Sequence, residues 1–253
     1  MNDLFDLTGK TAVVTGASRG IGEATAKLLA HHGAHVVVSS RKLAGCEAVA
    51  EAIVSAGGAA TPLTCHIGDP QAMDAFFAEI ERCHQRLDIL INNAAANPTF
   101  GHILDTDLDG FQKTVDVNIR GYFYACQKGG RIMKKQGFGT IVNNASMVGI
   151  SPAQMMGIYS VTKAAIINMS KAFAKECGQF GIRVNAVAPG VTDTKFAAAL
   201  VHNEAVLNQF LPSVSLGRVA QPEEIAPVLL FLASPASSYV NGAVYTVDGG
   251  ATA

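Results

Sequence analysis

The chain has 253 residues, of which 49% are hydrophobic and only 15% are charged, so it is long and apolar enough to bury one large core. A net charge of −1 provides no basic surface for nucleic acid or an anionic membrane, and we expect neither partner. The five cysteines lack CxxC spacing and the first six residues do not resemble a signal peptide, so we expect reduced thiols, no metal site and a cytoplasmic location.

Apolar runs bounded by turn residues predict seven strands that alternate with helices, and no linker or repeat divides residues 1–253 into two domains. The predicted strands are Thr11–Thr15, Ala34–Ser39, Thr61–Cys65, Leu87–Asn92, Thr140–Asn144, Arg183–Ala188 and Ala243–Val247. The longest predicted helices lie within Asp107–Gln136 and Pro152–Phe180. This alternation predicts an α/β fold with a doubly wound, seven-stranded, mostly parallel sheet and helices on both faces.

A glycine-rich turn joins the first predicted strand to the first helix. Gly16 allows a tight turn, Gly20 lets the backbone approach a pyrophosphate, and Gly22 permits close helix packing. The helix that follows offers unpaired amide groups and the positive end of its dipole. The strand, turn and helix together predict a phosphate-binding site.

A tyrosine and a lysine lie four positions apart in the second long helical segment. Helical spacing places Tyr159 and Lys163 on one face, where a buried ammonium would stabilise a phenolate. A surface lysine beside a packed ring is the ordinary explanation of such a pair. Ser146 strengthens the catalytic interpretation, because it follows the predicted strand Thr140–Asn144 at the edge where α/β sheets bind ligands.

With these features, the chain resembles a classical short-chain dehydrogenase/reductase over essentially its whole length. The resemblance rests on the glycine turn, on Ser146 with Tyr159 and Lys163, and on shorter matches in the expected order. The shorter matches are Val117-Asn118-Ile119, Asn92-Asn93-Ala94, Arg183-Val184-Asn185, Pro189-Gly190 and Asp248-Gly249-Gly250. The resemblance implies a single-domain Rossmann fold that binds a nicotinamide dinucleotide and transfers hydride to or from a carbonyl or alcohol.

The resemblance also implies roles for individual residues. Ser146 would hold the substrate oxygen, and Tyr159 would pass a proton to it. Lys163 would lower the pKa of Tyr159 and hold the nicotinamide ribose, while Asn118 would support a chain of waters. The implied cofactor-binding residues are Gly16, Ser18, Arg19, Gly20, Ile21, Gly22, Ser40, Arg41, His66, Ile67, Asn93, Ala94, Ala95, Tyr159, Lys163, Pro189, Gly190, Val191 and Thr194.

The end of the second strand bears on the choice between NAD and NADP. Family members that use NAD usually carry an acid there, whereas this chain has Ser40 followed by Arg41 and Lys42, and Arg19 lies in the glycine turn. Guanidinium and hydroxyl groups bind a 2′-phosphate, so NADP(H) is predicted over NAD(H). The alternative is that Arg41 and Lys42 form an ordinary solvated turn.

Two positions depart from the usual family pattern. His66 stands where an aspartate commonly binds the adenine amino group, and two interpretations stay open: a contact with adenine or a satisfied surface histidine. Ala95 stands in place of a glycine, which the fold tolerates if the backbone keeps a negative φ.

Residues 194–216 are expected to form a mobile helical lid over the substrate. Its larger side chains include Phe196, His202 and Phe210. With Met147, Met155 and Met156, these indicate a medium-sized, fairly apolar substrate, although methionines at this spacing are more often core filler.

Three functions compete at this point. Short matches at 39–42, 65–68 and 93–98 resemble the NADP-dependent carbonyl and retinal reductase branch, which favours a carbonyl reductase or alcohol dehydrogenase. The second is a 3-oxoacyl thioester reductase, for which Arg120, Lys128 and Arg131 form either a carrier-docking patch or a solvated face. The third, a non-catalytic cofactor sensor, is disfavoured because all four catalytic residues are present.

Apolar long helices and the family resemblance predict a homotetramer.

Overall fold

The computed structural model describes residues 4–201, 203, 207, 208 and 210–253, and these contain one parallel sheet of seven strands. The strands are β1 (Thr11–Thr15), β2 (His35–Ser40), β3 (Ala59–Thr64), β4 (Ile89–Asn92), β5 (Gly139–Asn144), β6 (Ile182–Pro189) and β7 (Val244–Val247). Their order is β3-β2-β1-β4-β5-β6-β7, so the direction of winding reverses between β1 and β4. Every predicted strand is confirmed to within two residues at each end.

Helices cover both faces of the sheet, as predicted. They are α1 (Gly20–His31), α2 (Leu43–Ser55), α3 (Pro70–His84), α4 (Leu108–Val115), α5 (Gly121–Gln136), α6 (Gly157–Cys177), α7 (Ala198–Val201) and α8 (Pro222–Ala233). Alternate residues of β1 enter different cores: Val14 packs with residues of α1, α2 and α8, and Val13 packs with residues of α3, α5 and α6. The sheet therefore separates two apolar layers.

The segment predicted as one helix over Asp107–Gln136 contains a π-helical turn. The Asp107 carboxylate accepts a hydrogen bond from the Gly110 amide at 2.7 Å and begins α4. The π turn Asp116–Arg120 then leads without a break into α5. A π turn displaces the side chains that follow it, and such turns are frequent at functional sites. Asn118 lies in this turn.

The second long helix lies within the predicted segment Pro152–Phe180. α6 starts at Gly157, whereas residues 152–156 form a loop. The Gly101 amide donates to the Met155 carbonyl at 3.0 Å, and Met155 has a φ of 64°, which no helix accommodates. This pairing holds the loop against the chain after β4. The helix α6 therefore lies within the predicted segment Pro152–Phe180 and does not fill its first five residues.

The cysteines of the described chain are all free thiols, of which Cys46, Cys65 and Cys126 are buried. Nowhere in residues 4–201, 203, 207, 208 and 210–253 do three His, Cys, Asp or Glu side chains come together as metal ligands would. Within the same residues, no helix has both the length and the apolarity to cross a bilayer.

Candidate active site

The glycine turn between β1 and α1 has the shape of a phosphate cradle. Gly16 and Gly20 have φ values of 65° and 58°, which favour glycine. A Cβ on Gly16 would lie 2.8 Å from the Ala94 Cα, and one on Gly20 would lie 3.0 Å from the Thr194 Cγ2. A Cβ on Gly22 would overlap the Gly16 carbonyl oxygen. The N-cap side chain makes no hydrogen bond to α1, so the amides of the first turn remain open to an anion.

Ser18 and Ile21 complete this turn and fix it against its neighbours. A Cβ on Gly45, in α2, would lie 3.0 Å from the Ser18 Cβ. Ile21 packs against the core formed with α2 and α8, and its carbonyl accepts a hydrogen bond from the Thr25 hydroxyl at 2.6 Å. The cradle therefore has little room to change shape.

Two arginine side chains near the end of β2 have no protein partner in the described chain. The Ser40 hydroxyl donates to the Lys42 carbonyl at 3.4 Å, and the Cys46 thiol approaches the Ser40 Oγ at 3.4 Å. Arg19 and Arg41 are exposed, and within the described residues neither side chain makes a hydrogen bond or an ion pair. Their guanidinium groups therefore have no protein partner in the described chain. Arg19 lies in the glycine turn, and Arg41 follows the strand next to β1.

His66 and Ile67 follow β3, and the structure gives them different environments. The His66 ring is exposed, and its Nδ1 accepts a hydrogen bond from the Gly68 amide at 3.1 Å, which leaves Nε2 as the protonated nitrogen of the neutral ring. Ile67 is buried in the core beneath α3 and α5. Ala95 does not adopt a positive φ, so the alanine fits the backbone that it must form.

The end of β4 is tied to the glycine turn through Thr15. The Thr15 hydroxyl accepts hydrogen bonds from the amides of Asn93 and Ala94 at 2.9 and 3.1 Å. The Asn93 Nδ2 donates to the carbonyls of Thr15 and Gly16 at 3.0 and 3.3 Å. These four bonds set the width of the crevice between β1 and β4.

The predicted Tyr159 and Lys163 lie side by side in α6 and are both buried. The Lys163 Nζ lies 5.4 Å from the centre of the Tyr159 ring and donates to the Asn144 carbonyl at 2.7 Å. It also lies 5.4 Å from the Tyr122 ring, whose hydroxyl donates to the same carbonyl at 3.2 Å. The lysine is thus held at the carboxyl end of β5.

Asn118 connects the loop after β4 to α6. Its Oδ1 accepts from the Ala96 amide at 2.9 Å, and its Nδ2 donates to the Ala96 carbonyl at 2.9 Å and to the Thr162 hydroxyl at 3.0 Å. The Thr162 hydroxyl in turn donates to the Tyr159 carbonyl at 2.8 Å. The π turn thereby locks Asn118 onto the helix that carries the tyrosine.

Ser146 begins a short 3₁₀ turn, Met147–Gly149, that packs directly on α6. Its hydroxyl accepts a long hydrogen bond of 3.4 Å from the Val148 amide and is only partly buried. A Cβ on Gly149 would lie 2.6 Å from the Lys163 carbonyl carbon. Met147, Val148 and Tyr159 form one buried cluster, so the turn brings Ser146 to the tyrosine's side of the sheet.

Burial governs the ionisation of both Tyr159 and Lys163. It raises the pKa of the Tyr159 phenol above its ordinary value and lowers the pKa of the Lys163 ammonium to about 7. In the protein alone, desolvation therefore outweighs any stabilisation of the phenolate by the lysine. The lowered tyrosine pKa expected from the sequence requires a charged lysine, and hydrogen-bond acceptors such as the Asn144 carbonyl favour that charge.

The loop after β6 reaches back over the glycine turn. The Gly190 amide donates to the Val247 carbonyl at 2.9 Å, and the Val191 carbonyl accepts from the Ala220 amide at 3.0 Å. Pro189 is the last residue of β6. The Thr194 side chain lies close to Gly20, so this residue borders the glycine turn, whereas Val191 packs against the cluster that contains Tyr159.

Apolar side chains surround the tyrosine. Ala153, Met156, Val191, Phe210 and Ala251 pack against the Met147, Val148 and Tyr159 cluster. The Phe196 ring lies 5.8 Å from the Tyr159 ring, and Met155 is exposed. Of the predicted lid, α7 and the 3₁₀ turn Leu211–Ser213 lie in the described chain, whereas His202 lies outside the described residues.

Three residues of this site were not identified from the sequence. Thr15, Thr162 and Asn144 hold the glycine turn, Asn118 and Lys163 respectively. The asparagines that end both β4 and β5 were a usable signal, because amides at adjacent strand ends are rarely placed there for packing alone. The two threonines gave no distinguishing pattern.

Comparisons with known proteins agree with this geometry. Residues 16–252 match the family described as enoyl-(acyl carrier protein) reductase. The chain is 35% identical to dehydrogenase/reductase SDR family member 4 of Oryctolagus cuniculus, covering 97% of this chain and 94% of that protein. It is 37% identical to a 3-oxoacyl-[acyl-carrier-protein] reductase of Synechocystis, covering 96% and 97%.

A solved structure shows the same arrangement of elements. A gluconate 5-dehydrogenase from Burkholderia cenocepacia, in complex with NADP and tartrate, is 31% identical, with a TM-score of 0.95 and coverage of 99% of this chain and 98% of that one. The family match, the two relatives and this structure extend over nearly the whole sequence, so the chain belongs to the short-chain dehydrogenase/reductase family of oxidoreductases.

Proposed function

We propose that the protein is an NADP-dependent oxidoreductase that transfers hydride between the nicotinamide and a carbonyl or secondary alcohol. The observation that carries this proposal is the buried Tyr159 and Lys163 pair, anchored on the Asn144 carbonyl at 2.7 Å beside the glycine cradle. The cradle and the open first turn of α1 fit a dinucleotide pyrophosphate. When bound, the nicotinamide supplies or accepts the hydride.

The residues of the chain supply geometry and a proton. Ser146 hydrogen-bonds the substrate oxygen, and Tyr159 donates a proton to that oxygen in the reduction direction. Lys163 favours the phenolate and binds the nicotinamide ribose. Asn118 acts mainly as a positioning residue, because its amide is already bonded to Ala96 and Thr162; any water chain that reloads the proton passes beside these bonds.

NADP(H) is the proposed cofactor, bound by Ser40, Arg41 and Arg19 at its 2′-phosphate. This choice is supported by the two exposed guanidinium groups, which make no ion pair in the described chain, and by the absence of a carboxylate at position 40. The NADP complex of the 31% identical relative agrees with it. His66, whose Nε2 is free to donate, is proposed to face the adenine, with Ile67 behind it.

The proposed substrate is a medium-sized, fairly apolar carbonyl compound. Phe196 and Phe210 stand at the tyrosine, and Met147 and Met156 line the same cluster. We propose that the described residues within 194–216 move as a lid over this substrate.

A 3-oxoacyl thioester reductase is the second candidate, since the Synechocystis relative at 37% identity carries that name. Its basic carrier-docking patch has little support. Arg120 pairs with Asp116 at 2.9 Å and Lys128 pairs with Asp74, so only Arg131 of the three predicted residues is unpaired within the described chain. The presence of the full catalytic set continues to disfavour a non-catalytic sensor.

The first test is oxidation of NADPH against a panel of apolar ketones and against acetoacetyl thioesters, with and without an acyl carrier. Faster turnover of ketones supports the proposal, and carrier-dependent turnover of thioesters replaces it with the second candidate. No turnover with either class, together with measurable NADP binding, would favour the sensor.

A cytoplasmic homotetramer is proposed for the assembly, consistent with free cysteines and an apolar helical surface. Phe111, Phe123 and Val161 are exposed on the helices α4, α5 and α6, where isologous pairing would bury them. Light scattering should give about four times the 26.3 kDa chain mass. A particle of one chain mass at micromolar concentration would contradict the assembly.

A further inference from the structure

Asparagine pairs end both β4 and β5, and the two members of the β5 pair have different surroundings. The Asn143 side chain faces α5 and α6. Its Oδ1 accepts from the Asn92 Nδ2 at 2.9 Å, and its Nδ2 donates to the Ser170 hydroxyl at 2.9 Å. This buried amide therefore has a partner for both of its ends.

The Asn144 side chain points to the other side of β5, and half of its amide is unpaired. Its Nδ2 donates to the Asn93 Oδ1 at 2.8 Å. Its Oδ1 is buried and has no hydrogen-bond partner among the described residues, and the whole residue is only 6% exposed. A buried carbonyl oxygen without a donor is unusual in a folded protein.

The neighbouring bonds fix which end of the Asn144 amide is unpaired. The Asn93 Nδ2 faces two main-chain carbonyls, those of Thr15 and Gly16, which accept and never donate. The Asn93 atom that faces Asn144 is therefore its oxygen, and the Asn144 atom opposite must be the nitrogen. Rotating either amide by 180° would place like atoms together.

Asn144 lies between the glycine cradle and Lys163. Through Asn93 its side chain is connected to the glycine cradle, and its main-chain carbonyl accepts the hydrogen bond from Lys163 at 2.7 Å. A donor that pairs with the Asn144 Oδ1 therefore approaches the same residue that holds Lys163. A pyrophosphate has no such donor. A ribose hydroxyl has one, and it can accept from an ammonium and donate to a carbonyl oxygen at once.

We propose that Asn144 is a further cofactor-binding residue, whose Oδ1 accepts a hydrogen bond from a hydroxyl of the nicotinamide ribose beside Lys163. This inference rests on the proposed function, because it requires a bound nicotinamide dinucleotide. In this proposal the asparagines after β4 and in β5 act together. Asn93 orients the side-chain amide of Asn144, and the Asn144 Oδ1 accepts from the ribose.

The test compares two ligands that share the adenosine half. NADP⁺ and adenosine 2′,5′-bisphosphate are titrated calorimetrically into the wild type and Asn144→Ala, and each variant's thermal midpoint is recorded. The bisphosphate lacks the nicotinamide ribose. Loss of one hydrogen bond should weaken NADP⁺ binding about 5- to 10-fold, while the Kd of the bisphosphate changes less than about 2-fold.

Asn143→Ala is the matched control, since it removes the neighbouring buried amide on the opposite side of β5. It should lower the thermal midpoint and leave the ratio of the two Kd values at the wild-type value. If Asn144→Ala does not fold, Asn144→Ser carries the test, because its shorter hydroxyl does not reach the place of Oδ1.

Two results would overturn the inference. An unchanged Kd for NADP⁺ would mean that Oδ1 meets no ribose, and an equal loss for both ligands would mean that Asn144 acts through the cradle. Either result leaves the proposed function intact. Failure of the wild type to bind NADP⁺ would instead overturn the proposed function itself.

Discussion

The two ends of the dinucleotide crevice differ in how firmly their polar groups are held. At the β5 and α6 end, Lys163 and Asn118 are buried and bonded to main-chain groups. At the β2 end, Arg19 and Arg41 are exposed, and in the described chain their side chains make no hydrogen bond or ion pair. A buried network is costly to rearrange, whereas exposed guanidinium groups are not constrained. In the proposed function, the buried groups would carry out hydride transfer and the exposed charges at the β2 end would select the cofactor.

The largest effect is expected at the proton donor. Tyr159→Phe keeps the ring that packs against Met147 and Val148 but removes the hydroxyl, so turnover should fall by at least ~10²-fold while NADPH binding and the fold are retained. The measurement is kcat with a ketone substrate, paired with a cofactor titration. Tyr124→Phe removes a tyrosine hydroxyl that bonds Asp74 on the surface and is the control. Turnover near the wild-type value would exclude the mechanism.

Removal of the lysine should have two coupled effects. Lys163→Met fills the buried site without an ammonium, so the phenolate of Tyr159 loses its stabilising charge and the pKa of Tyr159 rises further. The pH–rate profile of alcohol oxidation should move to higher pH, and NADP affinity should fall at least about 10-fold, the lower end for one charged hydrogen bond. Lys171→Met, on the exposed side of the same helix, should change neither. An unshifted profile with normal affinity would leave the lysine a purely structural role.

The strands, the glycine turn and the Tyr159 and Lys163 pair could be predicted from the sequence, because each depends on residues that are close together in the chain. Gly16, Gly20 and Gly22 follow a strand and precede a helix, and Tyr159 and Lys163 share a helical face. The seven strands are apolar runs that are bounded by turn residues, and all were located. Residue type and spacing are sufficient to predict a motif that lies within one element or in the turn between two consecutive elements.

Features that depend on contacts between elements were not accessible. The π turn at Asn118 has no sequence period of its own, and the loop before α6 is held by a bond from Gly101 to Met155. The unpaired oxygen of Asn144 emerges only when Asn93 is seen to face Thr15 and Gly16. The sign of the tyrosine pKa shift depends likewise on burial, which spacing alone does not give.

The smallest effect is expected away from the crevice, at the start of β2. His35 bonds the Thr61 hydroxyl through Nε2 at 2.8 Å and lies 4.7 Å from the His84 ring, and burial with the nearby His84 charge lowers its pKa. A histidine whose folded pKa is depressed takes up its proton more readily when unfolded, so stability falls as pH drops through the ordinary value of 6.5.

His35→Gln should reduce that acid loss of stability. The thermal midpoint should depend less steeply on pH between about 7 and 5, with a difference of ~2–4 °C at most, the shift for about 1 kcal/mol in a chain of this size. His31→Gln, an exposed change in α1, is the control. Equal slopes in all three proteins would show that His35 makes no contribution to the acid sensitivity.

Cofactor choice should be separable from hydride transfer, and kcat/KM for NADPH and NADH in the wild type and in Arg41→Ala will show whether it is. The wild type should prefer NADPH by on the order of 10²-fold, since each charged hydrogen bond to the phosphate is worth about 1.5–3 kcal/mol. Arg41→Ala should lower kcat/KM for NADPH, spare NADH and leave kcat at saturation unchanged; Ser40→Asp should reduce the NADPH value further by repulsion. Equal or NADH-favouring values in the wild type would exclude the proposed NADP(H) preference and make Arg41 an ordinary turn residue.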